Sequence, residues 1–163
     1  MADPVPDFLA ILRTLVEHQV DFIVVGGVCA VLHGAPVSTF DLDVVHSRAA
    51  ENLERLLKAL QVLDACYRGQ GDRRITPALS HLASPGHQLL MTNAGPLDLL
   101  GTISNDRDYE TLLPHTVEIE VGEDLRVRLV DLPTLITLKE ETGRDKDKAV
   151  LPILRRTLDE QGK

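Results

Sequence analysis

The chain has 163 residues and a formal net charge of −8. This length suffices for one domain with a proper core, and a hydrophobic fraction of 44% is ordinary for a folded protein. The acidic balance disfavours non-specific binding to long duplex DNA, and the lack of tryptophan, with only 3% aromatic residues, disfavours a surface that stacks many bases.

Targeting and domain signals are few. The N-terminus lacks the basic and apolar regions of a signal peptide, and no apolar run reaches the roughly 18 residues that a membrane span needs. Cys29 and Cys66 form no metal or redox motif, so both are expected to be core thiols in a reducing compartment. We therefore expect a cytoplasmic protein with no membrane partner. Without a repeat or linker, 1–163 is expected to be a single domain, with its core at about 20–131 and C-terminal helices at about 132–160.

The chain begins with a helix, a strand and a glycine turn. A helix is predicted over about 7–17, where an aspartate can cap its N-terminus. Phe22–Val25 is a short apolar, β-branched run that predicts a buried strand. Gly26 and Gly27 break this run, and an apolar helix at 28–32 follows. Such a turn lets the backbone approach a ligand closely, and a helix N-terminus presents free N–H groups to a phosphate.

A second strand, predicted at about 39–45, carries two aspartates. Alternate residues of a strand share a face, so Asp41 and Asp43 are expected to point the same way, with Cα atoms roughly 6.5 to 7 Å apart. Two ionised carboxylates in apolar sequence are costly to bury unless a cation compensates them, and oxygen ligands favour Mg²⁺ or Mn²⁺. The apolar residues around them are expected in the core: Phe40, Leu42, Val44 and Val45.

A helix over about 48–60 is followed by a region without periodicity. Residues 67–86 indicate an irregular loop with one short helical turn, and a loop this long in a small domain is either mobile or functional. Arg68, Arg73 and Arg74 could close on a triphosphate, but solvated loop arginines are the commoner case, and we favour that interpretation.

A hairpin is predicted from His87–Thr92 and 97–102, with a turn around Gly95. Asp98 is unusual because it lies among leucines of the second strand. It could simply occupy the exposed face. Given the carboxylate pair at Asp41 and Asp43, a third carboxylate on a neighbouring strand completes a metal triad, and this is the interpretation that we favour.

The C-terminal third predicts strands at 117–121 and Leu125–Val130 and a helix capped by Asp131, with the segment 143–150 separating it from a last helix. Several charged or polar residues in and around these helices are open to interpretation. Lys139, Arg144 and Lys146 are more often a solvated helix end, but folded over the sheet they would supply positive charge to a triphosphate. Likewise, His33 is more often a helix-end residue bound to backbone than a catalytic group, and Asp145 and Asp147 are most simply caps.

Four motifs carry a family resemblance: the glycine pair, the His33-Gly34 pair, the DLD triplet at Asp41 to Asp43, and the LDLLG strand around Asp98. With them, the sequence resembles the nucleotidyltransferase superfamily of DNA polymerase β in its minimal form, in particular the AbiEii-like nucleotidyltransferases of bacterial toxin–antitoxin and abortive-infection systems. The segment 139–148 adds a lysine and an R-x-K-D element of similar proteins. One departure is Val37, where many members have an arginine.

The resemblance implies an α/β (α+β) nucleotidyltransferase fold, with a mixed β-sheet, packed helices and a C-terminal helical segment. It also implies that Gly26 and Gly27 hold the β- and γ-phosphates of an NTP. Asp41 and Asp43 would ligate two Mg²⁺ ions (or Mn²⁺), and Asp98 would bind one of them and help to deprotonate the acceptor hydroxyl. Further candidate nucleotide contacts are Thr39, Lys139 and Lys146.

Two functions follow from these observations. The first is Mg²⁺-dependent transfer of an NMP from an NTP to a hydroxyl of a tRNA, a partner protein or a small molecule, in a toxin–antitoxin or defence system. The second is a non-catalytic binding module, such as an antitoxin or regulatory subunit, that keeps the fold. The intact carboxylates favour the enzyme.

Overall fold

The structure, a computed structural model, describes residues 5–162. Its helices are α1 (Phe8–Glu17), α2 (Gly26–Leu32), α3 (Ala50–Val62), α4 (Leu79–Leu82), α5 (Tyr109–Leu112), α6 (Leu132–Thr142) and α7 (Asp145–Gln161). Its strands are β1 (Phe22–Val25), β2 (Leu42–His46), β3 (Cys66–Tyr67), β4 (His87–Thr92), β5 (Gly95–Leu100), β6 (Thr116–Val121) and β7 (Leu125–Val130). No helix within residues 5–162 combines the length and the apolar character needed to cross a bilayer.

The strands form one seven-stranded mixed sheet in the order β3-β4-β5-β2-β1-β7-β6. Strand β1 pairs antiparallel with β2 and parallel with β7, and β2 pairs parallel with β5. All four residues of β1 are buried, as expected for an apolar, β-branched strand in the middle of a sheet. The expected mixed α/β architecture with packed helices is therefore confirmed.

Helix caps were predicted from local sequence and are confirmed. The Asp7 carboxylate accepts a hydrogen bond from the Ala10 N–H at the start of α1. The Asp131 carboxylate accepts one from the Thr134 N–H at the start of α6, which has a proline in its first turn. A short polar side chain at this position satisfies a backbone donor that the helix itself leaves free.

The start of β2 was predicted wrongly. The strand begins at Leu42 rather than at residue 39, and Phe40, which was expected in the core, is 80% exposed. On one side of this segment, β1 offers no residue that could pair with residues 39–41, because its last residue, Val25, already lies opposite Asp43. On the other side β5 would offer Pro96, which has no N–H to donate.

The prediction for 143–150 was also wrong, since α7 begins at Asp145 and this segment is mostly helical. The interruption is two residues long, Gly143 and Arg144, and the φ of 58° at Gly143 ends α6 in a left-handed cap. Of the two cysteines expected in the core, Cys29 is buried and Cys66 is only half-buried. The helix predicted at 48–60 runs from Ala50 to Val62.

Candidate functional site

Three carboxylates predicted from two separate motifs converge beside the start of β2 and the middle of β5. One carboxylate oxygen from each of Asp41, Asp43 and Asp98 lies within 4.8 Å of the other two. Asp43 and Asp98 are direct partners in the parallel pairing of β2 with β5, so their side chains leave the sheet on the same face. Asp98 is therefore not a solvated outer-face residue: it is only 8% exposed and faces the pair.

The cluster is electrostatically unfavourable without a cation. Burial, followed by the charges of Asp41 and Asp98, raises the pKa of Asp43 to about 7. Burial and the neighbouring Asp98 also raise the pKa of Asp41 above its usual range. Like charges at this separation disfavour simultaneous ionisation, so a bound cation would favour the fully ionised form of the cluster.

The donor set of the cluster fits a divalent cation. Within residues 5–162, the Asp43 Oδ1 atom is buried and has no hydrogen-bond partner. A buried polar atom without a partner is expensive, and an ionised carboxylate can only accept, so a metal ion or a donor from a ligand would satisfy it. An all-oxygen set suits Mg²⁺ or Mn²⁺.

The two glycines allow the backbone to pass close to this cluster. Gly26 has a φ of 71°, and a Cβ atom at this residue would collide with the Asp43 carboxylate. A Cβ atom at Gly27 would lie 2.5 Å from Thr39 Oγ1, so no side chain fits there either. Thr39 Oγ1 in turn donates to the Asp41 carbonyl at 3.1 Å and fixes the approach to the first aspartate. The glycine turn and the DLD triplet are thus packed as one unit.

A cavity of about 420 Å³ opens over the carboxylates. All three aspartates line it, together with Gly27 and Thr39 from the first half of the chain. Its opposite wall comes from α6 and α7 and carries three cationic side chains: Lys139, Arg144 and Lys146. Of the two interpretations for these residues, the one in which they fold over the sheet therefore describes their position.

Asp147 organises this cationic wall, a role that the sequence interpretation missed. Its side chain is fully buried and accepts from Lys139 Nζ at 3.2 Å, Arg144 Nε at 2.8 Å and Thr142 Oγ1 at 2.7 Å. Burial would raise the pKa of Asp147, but the hydrogen bonds from Arg144, Thr142 and Lys139 hold it well below its usual range. One sequence signal was available, because Asp147 lies on the same face of α7 as the buried Leu151 and Leu154.

Arg68 also departs from its prediction as a solvated loop residue. Its guanidinium contacts Asp98 Oδ1 at 2.7 Å and donates to the Leu90 carbonyl at 2.7 Å. The pair brings one fixed positive charge to the edge of the carboxylate cluster. By contrast, His33 is bound to backbone as predicted, since its Nε2 atom lies 2.8 Å from the Val130 carbonyl.

Comparison with solved structures identifies the type of fold. No protein-family model matches the sequence, and no curated protein is significantly similar to it in sequence. Among solved structures, TM1012 of Thermotoga maritima, which is assigned as a nucleotidyltransferase, matches with a TM-score of 0.55 at 15% identity, over 94% of this chain and 91% of that one. The antibiotic-resistance factor ANT(2'')-Ia matches with a TM-score of 0.59 at 14% identity, over 93% of this chain and 82% of that one. The described chain therefore has a nucleotidyltransferase fold.

Proposed function

We propose that this protein is a nucleotidyltransferase that transfers an NMP from an NTP to a hydroxyl acceptor. The observation that supports the proposal is the convergence of Asp41, Asp43 and Asp98, with an unpartnered buried carboxylate oxygen, in a cavity whose far wall is cationic. Three carboxylates opposite three cationic side chains suit a ligand that combines metal-binding and free anionic oxygens. An NTP with its divalent cation has this character.

Different residues of the cavity are proposed to contact the triphosphate. Gly27 lines the cavity, and its backbone, with that of Gly26, is proposed to contact the phosphates, since glycine lets the backbone approach a ligand closely. Lys139 and Lys146 face the carboxylates from the opposite side and would neutralise the β- and γ-phosphates. Lys139 is already oriented by its contact with the buried Asp147.

In the proposed reaction, the acceptor oxygen attacks the α-phosphorus. An O–P bond to the acceptor forms, the bond from the α-phosphorus to the bridging oxygen breaks, and pyrophosphate leaves. Asp98 is proposed to take the proton of the acceptor hydroxyl, because it lines the cavity beside the other two carboxylates. Asp41, Asp43 and Asp98 would hold two Mg²⁺ ions, which when bound supply charge neutralisation for the attacking and leaving oxygens.

The finer identity is proposed from the sequence motifs. The glycine pair, the DLD triplet and the R-x-K-D element at Arg144 to Asp147 resemble the AbiEii-like type, so we place the protein in a bacterial toxin–antitoxin or defence system. The acceptor is then a tRNA, a partner protein or a small molecule carrying a hydroxyl group.

Transfer of label from [α-³²P]NTPs, in the presence of Mg²⁺, tests the proposal. Total tRNA, bacterial lysate proteins and a mixture of small hydroxylated compounds would be offered as separate acceptors. Labelled product and pyrophosphate are expected with one acceptor class and should be lost in the Asp41→Asn/Asp43→Asn variant, whose fold is checked by circular dichroism. Undiminished transfer by that variant would refute the assigned site.

A further inference from the structure

The two edges of the β-sheet differ in length and regularity. One edge is β3, which has only two residues, and the other is β6, which has six. Proteins usually prevent an edge strand from pairing with another chain by keeping it short, by a proline or by a bulge. Strand β6 has none of these three features, since its pairing with β7 is continuous from Thr116 opposite Val130 to Val121 opposite Leu125. Its outer edge is therefore regular enough to accept a further strand.

The outward backbone groups of β6 follow from its pairing with β7. The Asp131 N–H donates to the His115 carbonyl at 2.8 Å, and these two residues continue the register of the hairpin. Opposite residues of an antiparallel pair alternate between hydrogen-bonded and non-hydrogen-bonded pairs. The odd-numbered residues of β6 therefore bond to β7, whereas the N–H and carbonyl groups of Glu118 and Glu120 point away from it. Within residues 5–162, no hydrogen bond occupies these outward groups.

The side chains of β6 show the same alternation. Glu118 and Glu120, whose backbone groups point outward, share one face of the sheet, and both are exposed. The apolar residues of β6 share the other face, where Val117 is 40% exposed. A strand added at this edge is therefore matched by basic side chains on the first face and by apolar side chains on the second.

Strand β7 has this pattern and already pairs with the inner edge of β6. Its sequence, LRVRLV, places Arg128 opposite Glu118 and Arg126 opposite Glu120. The Arg128 guanidinium donates to a Glu118 carboxylate oxygen at 2.6 Å. The Glu118 side chain nevertheless stays 48% exposed, so its carboxylate is accessible to a second cation from the outer side. Alternating basic and apolar residues are thus the complement of β6.

The charge of the outer edge disfavours a second copy of this chain as the added strand. An antiparallel pair of two β6 edges places Glu118 opposite Glu118, or Glu118 opposite Glu120, in the registers that use both residues. Like charges directly opposite each other destabilise a strand pair. The net charge of −8 on each copy adds to this repulsion. The charge pattern therefore favours a different, basic partner.

We propose that the outer edge of β6 binds an extended segment of a partner protein in which basic residues alternate with apolar ones. The segment adds a strand antiparallel to β6 and exchanges backbone hydrogen bonds with Glu118 and Glu120. Its basic side chains lie opposite these two carboxylates, and its apolar side chains cover Val117. In strand addition the main-chain hydrogen bonds provide affinity and the alternate side chains provide specificity. Two strands, β1 and β7, separate this surface from β2 and its Asp43 carboxylate, so it is distinct from the proposed nucleotide site.

An acetylated and amidated peptide with the β7 sequence, LRVRLV, serves as the probe. It is titrated into ¹⁵N-labelled protein and followed by nuclear magnetic resonance at an ionic strength of about 0.15 M, where the Debye length is about 8 Å. The bound peptide should slow hydrogen exchange of the Glu118 and Glu120 amides about tenfold, because these N–H groups become bonded, and should leave the Glu123 amide in the turn unchanged. A peptide of the same composition with clustered arginines, RRLLVV, should bind about fivefold more weakly because it lacks the alternation.

Variants of Glu120 separate charge from backbone pairing, and Glu118 is left intact because it pairs with Arg128. Glu120→Lys reverses the charge opposite a basic residue of the peptide and should weaken binding about tenfold. Glu120→Pro removes an outward N–H that the pairing with β7 does not use, and should also weaken binding about tenfold. Glu120→Gln keeps this N–H and should weaken binding only about threefold. The matched control is Glu123→Lys, the same charge reversal at an exposed turn residue, which should change the affinity less than about twofold.

The fold of each variant is checked by circular dichroism. No binding of the β7 peptide by the wild type, or equal affinity for the two peptides, would overturn the inference. Binding without slower exchange at Glu118 and Glu120, or unchanged binding by Glu120→Pro, would overturn it as well, because the peptide would then be held by charge alone. A dimer of the free protein that Glu120→Pro dissociates in sedimentation experiments would make a second copy the occupant and also overturn it. None of these measurements involves a nucleotide, so the result is independent of the proposed function.

Discussion

Replacing Asp43 by asparagine should stabilise the metal-free protein at neutral and alkaline pH. Asp43 is half-buried between Asp41 and Asp98, and its Oδ1 atom has no partner among the described residues. Asparagine has nearly the same shape and no charge. The substitution therefore removes the repulsion and most of the desolvation cost while it keeps the packing against Gly26.

The size of the effect follows from the pKa. Burial and the two neighbouring carboxylates raise the pKa of Asp43 from its ordinary value of 3.8 to about 7. For a group shielded from solvent, such a rise corresponds to about 4 kcal/mol against the ionised form. Because solvent reaches the cluster through the open cavity, we expect about 2 kcal/mol of this to appear in the free energy of unfolding.

The sign of the pH dependence is fixed. A carboxyl whose pKa is higher in the folded state contributes its full stability below the unfolded value, and this contribution is lost as the pH rises through about 7. In urea titrations with EDTA, Asp43→Asn should match the wild type near pH 4 and exceed its stability at pH 8. Mg²⁺ should then stabilise the wild type and not the variant.

Asp124→Asn, at an exposed turn, serves as the control and should show no such pH-dependent gain. If Asp43→Asn is less stable than the wild type at pH 8 in EDTA, the carboxylate makes a favourable contact in the metal-free protein. The assignment of the cluster as a site for a divalent cation would then be refuted.

Three further substitutions test the surroundings of the site. Asp147→Asn should lower the free energy of unfolding by about 2–4 kcal/mol, because Lys139 and Arg144 lose the negative charge of a fully buried carboxylate. Since the pKa of Asp147 is lowered in the folded state, this loss of stability should be present above about pH 4 and fade as the pH falls. A loss that does not depend on pH in urea titrations would contradict the ion-pair explanation. Gly27→Ala should lower the free energy of unfolding by about 1–3 kcal/mol and weaken the binding of an NTP analogue, because the new Cβ atom would lie 2.5 Å from Thr39 Oγ1. If calorimetric titration shows that the variant binds the analogue as tightly as the wild type, the turn is not tight. Arg68→Gln should strengthen Mn²⁺ binding about fivefold by removing a cation next to Asp98, as measured by electron paramagnetic resonance. Weaker Mn²⁺ binding by Arg68→Gln would mean instead that Arg68 orients Asp98 for the metal.

Much of this fold could be predicted from local sequence. Features that depend only on neighbouring residues are confirmed, namely the β-branched run of β1, the hairpin of β4 and β5, and the aspartate caps of α1 and α6. The convergence of the carboxylates was also predicted, because Asp98 stood out in a leucine strand. The argument from strand alternation does not apply to Asp41, which precedes the first residue of β2. These features need only the periodicity of the chain and the cost of burying charge.

The errors concern contacts between distant segments. Phe40 is apolar and was expected in the core. Residues 39–41 form no strand, because β1 ends opposite Asp43 and the next residue on β5, Pro96, has no N–H to donate. The pair of Arg68 with Asp98 spans 30 residues, and no local pattern marks it. Lys139 meets the buried Asp147 only because Gly143 reverses the chain between α6 and α7.

Isothermal titration of the purified protein with α,β-methylene ATP, with and without Mg²⁺, tests the proposed nucleotide site most directly. The Asp41→Asn/Asp43→Asn variant is titrated beside it, after circular dichroism has confirmed its fold. Metal-dependent binding by the wild type and its loss in the variant are the predicted results. No binding by the folded wild type, or equal binding by the variant, would contradict the assignment and favour a non-catalytic module that keeps the nucleotidyltransferase fold.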